Sequence, residues 1–372
     1  MNENKKKIFN IEKLNFNQKN PLIIAELGTS HNADIAKARE MTAAAAEAGA
    51  DCVKFQMVFA DEILHPNTGE ITLPGGRIRL YDRFKELETP LEFFMEIKNY
   101  TESLGVLFLC TPFGHKSASI LKKIRPKIVK IASPELNFTS LLEEIAKWKL
   151  PVLLSSGVSR LSDIEEALDI FSDRQQICLL HCVTAYPAPE TDYNLRVLHN
   201  LSAIFDISVG ISDHSADPEL VPALAVSMGA VVVEKHFCLS RTDSGLDDPI
   251  ALPPEDFAQM SRAVKQAAAD PFEKTVSDYK NRYGEALVEQ VLGNGVKELA
   301  PSESANYRFT NRSVHALRDI TAGEIIQKND YAVLRTEKNL RPGLEPCWEK
   351  AVEGRTARNF IPAGEGIRFE DI

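Results

Sequence analysis

A chain of 372 residues is long enough for one large domain and a small one. With 44% hydrophobic and 26% charged residues it has the composition of a globular protein, which excludes a disordered chain. The net charge of -10 excludes a general nucleic-acid binder, since no basic surplus exists to neutralise phosphates, but a few focused lysines could still hold a small anion.

Lys5, Lys6 and Lys7 open the chain with no apolar run behind them, so Met1 to Asn10 are expected to be a solvated leader and not a secretory signal. From Leu22 to Lys265, short β-branched runs alternate with helical stretches. Strands are expected at LIIAELG (22–28), CVKFQM (52–57), VLFLCTP (106–112), IVKIASPE (128–135), PVLLSSG (151–157), ICLLHCV (177–183), ISVGISDH (207–214) and VVVEKHF (231–237). These runs are almost continuously apolar, as strands covered on both faces must be. Amphipathic helices lie between them, such as Ile35–Ala48 ended by Gly49 and Leu91–Leu104 ended by Gly105.

Eight such units define a (β/α)8 TIM barrel of the α/β class, expected over residues 1–269. A doubly wound open sheet is the alternative, but its usual Gly-rich first turn is absent. Residues 270–308 read as a polar helical linker, broken at Pro301 and Ser302. Beyond it, DITAGEIIQKND (319–330) and NFIPAGEGIRFED (359–371) form a weak repeat, with Gly323 and Gly364 in matching places. A compact all-β module is therefore expected over 309–372.

The cysteines do not form a disulfide framework. Cys52, Cys110, Cys178 and Cys182 sit in apolar strand runs, so buried reduced thiols and a cytoplasmic location are expected. Cys178 and Cys182 flank His181, but strand alternation sends neighbours to opposite faces and makes no compact zinc site. No stretch is long and apolar enough to span a membrane.

In such a barrel, chemistry belongs to the C-terminal strand ends. Reading only those ends gives Glu26, Lys54, Gln56, Thr111, Lys130, Ser133, Glu135, Ser155, Ser156, Tyr186, Ser212, His214, Glu234 and His236. Lys54 and Lys130, beside Ser133, Ser155 and Ser156, suit a cradle for phosphate or carboxylate. His214 and His236 end neighbouring strands, so two imidazoles could share a divalent ion, with Glu234 near enough to orient one of them. Glu26 could be a general base, could hold a substrate hydroxyl, or could simply pair with Lys54.

IIAELGTSHNADIAKA, VKFQ, CTPF, KIASPE, LSSG, LLHCVTAYPAP, GISDHS and EKHF occur in order, one per expected strand. This series resembles the sialic acid synthase (N-acetylneuraminate synthase) family, and the tail from Asn311 resembles its antifreeze-like SAF domain, a β-clip module. The resemblance implies condensation of phosphoenolpyruvate with an N-acetylated amino-sugar aldehyde such as N-acetylmannosamine. Legionaminic or pseudaminic acid synthesis is the alternative within the family. A silent sugar-binding barrel, or a metal-dependent aldolase or hydrolase, would be a rival of another class.

The resemblance further implies that Lys54, Lys130, Ser133, Ser155 and Ser212 hold phosphoenolpyruvate. His214 and His236 would bind Mn2+ or Mg2+, and Glu26, Gln56, Tyr186 and Asp247 would contact the sugar. Either Glu26 or Asp247 would activate water. A domain-swapped homodimer is implied too, with the SAF domain of one copy supplying Arg335, or else Arg341, to the barrel of the other. Three stretches depart from the family pattern: the first loop is SHNA, ending at Ala33; GLDDP (245–249) places Asp248 where a histidine often stands; and the usual R-P-G is split, so that TEKNL separates Arg335 from RPG at 341–343. Residues 66–81 read as an insertion beside the mouth.

Overall fold

The computed structural model describes residues 7–73 and 76–372, and of Leu73 its backbone only. Its core is eight parallel strands: β1 (Leu22–Gly28), β2 (Cys52–Met57), β3 (Leu107–Pro112), β4 (Val129–Ile131), β5 (Val152–Ser155), β6 (Ile177–Cys182), β7 (Ser208–Asp213) and β8 (Val232–His236). Their hydrogen-bonded order is β3-β2-β1-β8-β7-β6-β5-β4. First and last strands are therefore joined, His236 standing opposite Glu26, and the seam of the barrel falls between β3 and β4. This is the expected barrel, and the β1–β8 ladder excludes an open doubly wound sheet. The run expected at 128–135 is a strand only as far as Ile131, because Ser133–Glu135 folds into a tight 3-10 turn around Pro134.

Helices pack on the outside. Ile35–Glu47 starts at Asp34, whose carboxylate accepts from Ala36 N at 2.7 Å and Lys37 N at 3.3 Å. It buries Ala38, Met41, Thr42 and Ala45 and ends ahead of Gly49, whose φ of +97° suits a helix stop.

The N-terminal segment corrects one expectation. Phe9–Ile11 and Leu14–Phe16 form an antiparallel hairpin, and Phe9 and Ile11 are fully buried against Leu22, Cys52, Ile128 and Leu153. The hairpin thus plugs the N-terminal end of the barrel, so the expected solvated leader does not include Phe9. Each such side chain contributes roughly 2 kcal/mol of burial; residues 1–6 lie outside the described part.

The linker is helical, as expected, and packs on the barrel. Helices Phe272–Tyr283 and Glu285–Leu292 bury Val288, Val291 and Leu292 against this chain's own barrel. Leu195 N and Arg196 N donate to the carbonyls of Val291 and Leu292 at 2.9 Å each. Asn200 Nδ2 then holds Gly295 O at 2.7 Å, and Asn306 Nδ2 reaches Thr184 O at 2.9 Å. Within the single chain described, a linker fastened at these points seats the small domain at its own barrel mouth.

The small domain pairs β9 (Ser313–Ala316) with β10 (Tyr331–Leu334) in antiparallel fashion. Its internal repeat is structural. Ile320 and Ile361, equivalent positions of the two copies, exchange backbone hydrogen bonds of 2.9 Å. Gly323 and Gly364 both take positive φ, at +88° and +92°.

Candidate active site

The strand ends surround a cavity of about 770 Å³, open at the C-terminal face of the barrel. Alternation along each strand decides what enters it. Ile24, Cys52, Ile128 and Val232 fill the layer beneath, and the position two residues on from each carries charge. Glu26, Lys54, Lys130 and Glu234 are each at most 4% exposed.

These four groups balance one another. Lys54 Nζ lies 2.8 Å from Glu234 Oε1 and 3.0 Å from Glu26 Oε2. Lys130 Nζ donates to Ser155 Oγ at 2.7 Å and stands 3.7 Å from Glu234. Burial alone would push all four toward neutrality. Burial raises the Glu26 pKa to about 7, with Lys54 acting in the opposite sense. Burial likewise lowers Lys130 to about 8, Glu234 opposing. For Glu234, burial is outweighed by Lys130 and Lys54, which hold it down at about 2. A charged pair of lysines thus sits under the cavity, ready for an anion.

The serines divide. Ser155 accepts from Lys130 and so keeps its own proton for another partner. Ser212 Oγ donates to Glu234 at 2.8 Å, and Ser133 Oγ accepts from Gly157 N at 3.0 Å. Gly157 cannot be larger, because a Cβ would meet Thr184 Oγ1 at 2.2 Å.

On the β7–β8 side, the rings of His214 and His236 lie 5.4 Å apart, and Tyr186 stacks on His214 at 4.2 Å. Nδ1 of His214 is 2.8 Å from the Val183 carbonyl, an acceptor only, so that nitrogen carries the proton and Nε2 keeps a lone pair. Burial drives His236 well below the ordinary imidazole range, leaving it neutral. His214 is shifted the other way, burial being outweighed by Cys182 and the Val183 carbonyl. With Nε2 deprotonated, the two imidazoles fit a divalent ion that completes its shell with water and substrate oxygens. Among the described residues, no group of three or more His, Cys, Asp or Glu side chains could hold a metal by itself. Asp247 Oδ2 is 3.7 Å from His236 Nδ1, and burial raises its pKa to about 6. Gly28 beside this corner takes φ of +55°, a region that favours glycine.

Of the residues expected from sequence, Glu26, Lys54, Gln56, Lys130, Ser133, Ser155, Tyr186, Ser212, His214, Glu234, His236, Asp247 and Arg335 line this cavity. Thr111, Glu135 and Ser156 do not. Thr111 Oγ1 is buried and has no hydrogen-bond partner among the described residues, while Ser156 Oγ bonds Leu180 O. Glu135 is swung behind the wall by the Ser133–Glu135 turn, where Arg335 Nη2 meets it at 2.6 Å. Arg341 does not line this cavity and pairs with Asp371 at 2.7 Å inside the small domain.

Sequence reasoning missed Arg312. It is fully buried, holding Glu135 Oε1 at 2.8 Å and the carbonyls of Glu62 and Phe113 at 2.5 and 2.6 Å. All six cysteines are free, and five are buried. No helix of the described residues is long and apolar enough to cross a membrane.

A barrel whose mouth gathers buried lysines, poised carboxylates and paired imidazoles is an enzyme site for a small anion and a second, polar substrate. The NeuB family matches residues 41–272 and the SAF domain residues 311–372, and the chain belongs to the NeuB family of synthases. The crystal structure of the spore coat polysaccharide biosynthesis protein SpsE from Bacillus subtilis is similar, with a TM-score of 0.80 and 32% identity over 98% of this chain and 99% of that one. N,N'-diacetyllegionaminic acid synthase of Campylobacter jejuni is 32% identical over 85% of this chain and 91% of its own length. Pseudaminic acid synthase from the same species is 31% identical over 96% of this chain and 98% of its own.

Proposed function

We propose that this chain condenses phosphoenolpyruvate with the aldehyde of an N-acylated amino sugar, forming a nine-carbon acidic sugar and releasing phosphate. The observation that carries the reading is the buried Lys54–Lys130 pair beside the two imidazoles, because it offers one place for a phosphorylated carboxylate and one for an aldehyde oxygen. Carbon 3 of phosphoenolpyruvate forms the new bond to the aldehyde carbon, and the aldehyde oxygen gains a proton. Water then adds at carbon 2, and the carbon–oxygen bond to phosphate breaks to leave a ketone.

Lys54 and Lys130 neutralise the phosphate and carboxylate, and Ser155 donates its remaining proton to them. Glu26 and Asp247 both have pKa values raised by burial into the range of a useful base. We assign water activation to Asp247, because Glu26 is engaged by Gln56 at 2.7 Å and Lys54 at 3.0 Å. His214 and His236 would hold Mn2+ or Mg2+, which when bound polarises the aldehyde. Arg335 and Tyr186 orient the sugar from the rim.

N-acetylmannosamine, giving N-acetylneuraminate, is the acceptor we take first. The names of the relatives favour testing acceptors of the legionaminic and pseudaminic type beside it. The buried thiols support a reducing, cytoplasmic setting. The reading is tested by phosphate release across a panel of N-acetylated hexoses. Release must depend on both phosphoenolpyruvate and sugar; release from phosphoenolpyruvate alone, or turnover of sugar without it, contradicts the proposal.

A further inference from the structure

Two stretches singled out in the sequence, the insertion at 66–81 and the TEKNL segment after Arg335, both contribute residues to the cavity lining. The insertion contains an antiparallel hairpin, Glu70–Leu73 with Gly76–Arg79. Asn339 of TEKNL donates from Nδ2 to Thr68 O at 2.7 Å and to Glu70 O at 2.8 Å, which ties the base of the hairpin to the small domain. Further stitches lie alongside. Arg335 N donates to Ile63 O at 2.9 Å, and Asn67 Nδ2 to Ala363 O at 2.9 Å. Gly364 packs so closely that a Cβ would meet His65 Nδ1 at 2.8 Å.

The TEKNL backbone is held in an uncommon shape. Glu337 and Lys338 take φ of +48° and +64°, a region that L-residues seldom adopt. Thr336, fully buried, enforces it: its hydroxyl donates to Phe309 O at 2.7 Å and accepts from Lys338 N at 3.2 Å. Such over-determined strain clusters where a loop has work to do.

Glu70, Arg77, Glu337 and Lys338 from these two segments line the same cavity as the buried lysines and the imidazoles. From this geometry we infer that the joined segments form the wall that receives the unreacting end of the acceptor sugar, with Asn339 as the positioning residue that holds the wall in place. The inference rests on the proposed condensation. Two acidic and two basic side chains cancel, and the charge of Arg335 is already met by Glu135. The wall therefore takes a neutral tail of hydroxyl or amide groups, not a phosphate ester, which needs a surplus of positive charge.

Asn339→Ala tests the latch, and it removes only an exposed side chain. The acceptor KM should rise about ten-fold, with kcat and the phosphoenolpyruvate KM changed by less than about two-fold. Hydrogen exchange should quicken in the Glu70–Leu73 and Gly76–Arg79 strands while the barrel strands stay as protected as before. N-acetylmannosamine 6-phosphate should fall at least about ten-fold below the best neutral hexose in kcat/KM. An unchanged acceptor KM, unchanged exchange in the hairpin, or preference for the phosphate ester would overturn the inference. Failure of the condensation reading would show instead as no turnover by the unaltered enzyme, and the exchange measurement would still decide the latch.

Discussion

Arg335 Nη2 stands 2.6 Å from Glu135 Oε1, and this pair brings the small domain's guanidinium to the mouth of the barrel. Glu135 is shared with the buried Arg312, so the arrangement is a fixed cluster and not a loose surface pair.

Arg335→Ala should lower kcat/KM by about 10²-fold or more, as loss of a preorganised charge at a reacting site does. Arg341→Ala, confined to the small domain, should change it by less than about three-fold. Within the described chain Arg335 sits at its own barrel; if that arrangement holds in solution, mixing Arg335→Ala with Glu26→Ala after reversible dissociation should restore nothing. Recovery toward roughly a quarter of full activity would show that two copies exchange their small domains.

Lys130 should set a pH limb. Its pKa is lowered to about 8, so the cation that binds phosphate is present below that pH and lost above it. The kcat/KM for phosphoenolpyruvate should fall as pH rises through about 8. Lys130→Arg, charged throughout, should move that limb upward, and Lys130→Ala should cost about 10²–10³-fold with little change in sugar KM. A profile unaltered by either substitution would remove Lys130 from the anion site.

His214 and His236 leave most of a metal's coordination to water and substrate, so the ion should exchange readily. Exhaustive chelation should abolish activity and Mn2+ or Mg2+ should restore it. His214→Ala should be inactive yet folded by circular dichroism. Full activity after chelation would refute the metal assignment.

The barrel was legible because a strand buried on both faces leaves an unbroken apolar run, and because alternation then sorts Lys54, Lys130, Glu234 and His236 into the interior. What lay hidden depended on distant partners. Phe9 and Ile11 sit among polar residues, and only the open end of the barrel explains their burial. Arg312 has no local signature, because the carbonyls that satisfy it come from Glu62 and Phe113, roughly 200 or more residues away in sequence. Glu135 was expected at a strand end, but the strand stops at Ile131 and a short turn through Pro134 carries it behind the wall. The small domain's repeat gave away its turns, while its seating on the barrel follows from the linker's hydrogen bonds, which no pattern of residues announces.

The most direct test of the account follows the bridging oxygen of phosphoenolpyruvate. With that atom labelled as ¹⁸O and an amino sugar supplied, attack by water at carbon 2 puts the label in the released phosphate, detected by its isotope shift in ³¹P NMR. Label retained in the sugar product would mean cleavage at phosphorus and would contradict the condensation proposed for this site.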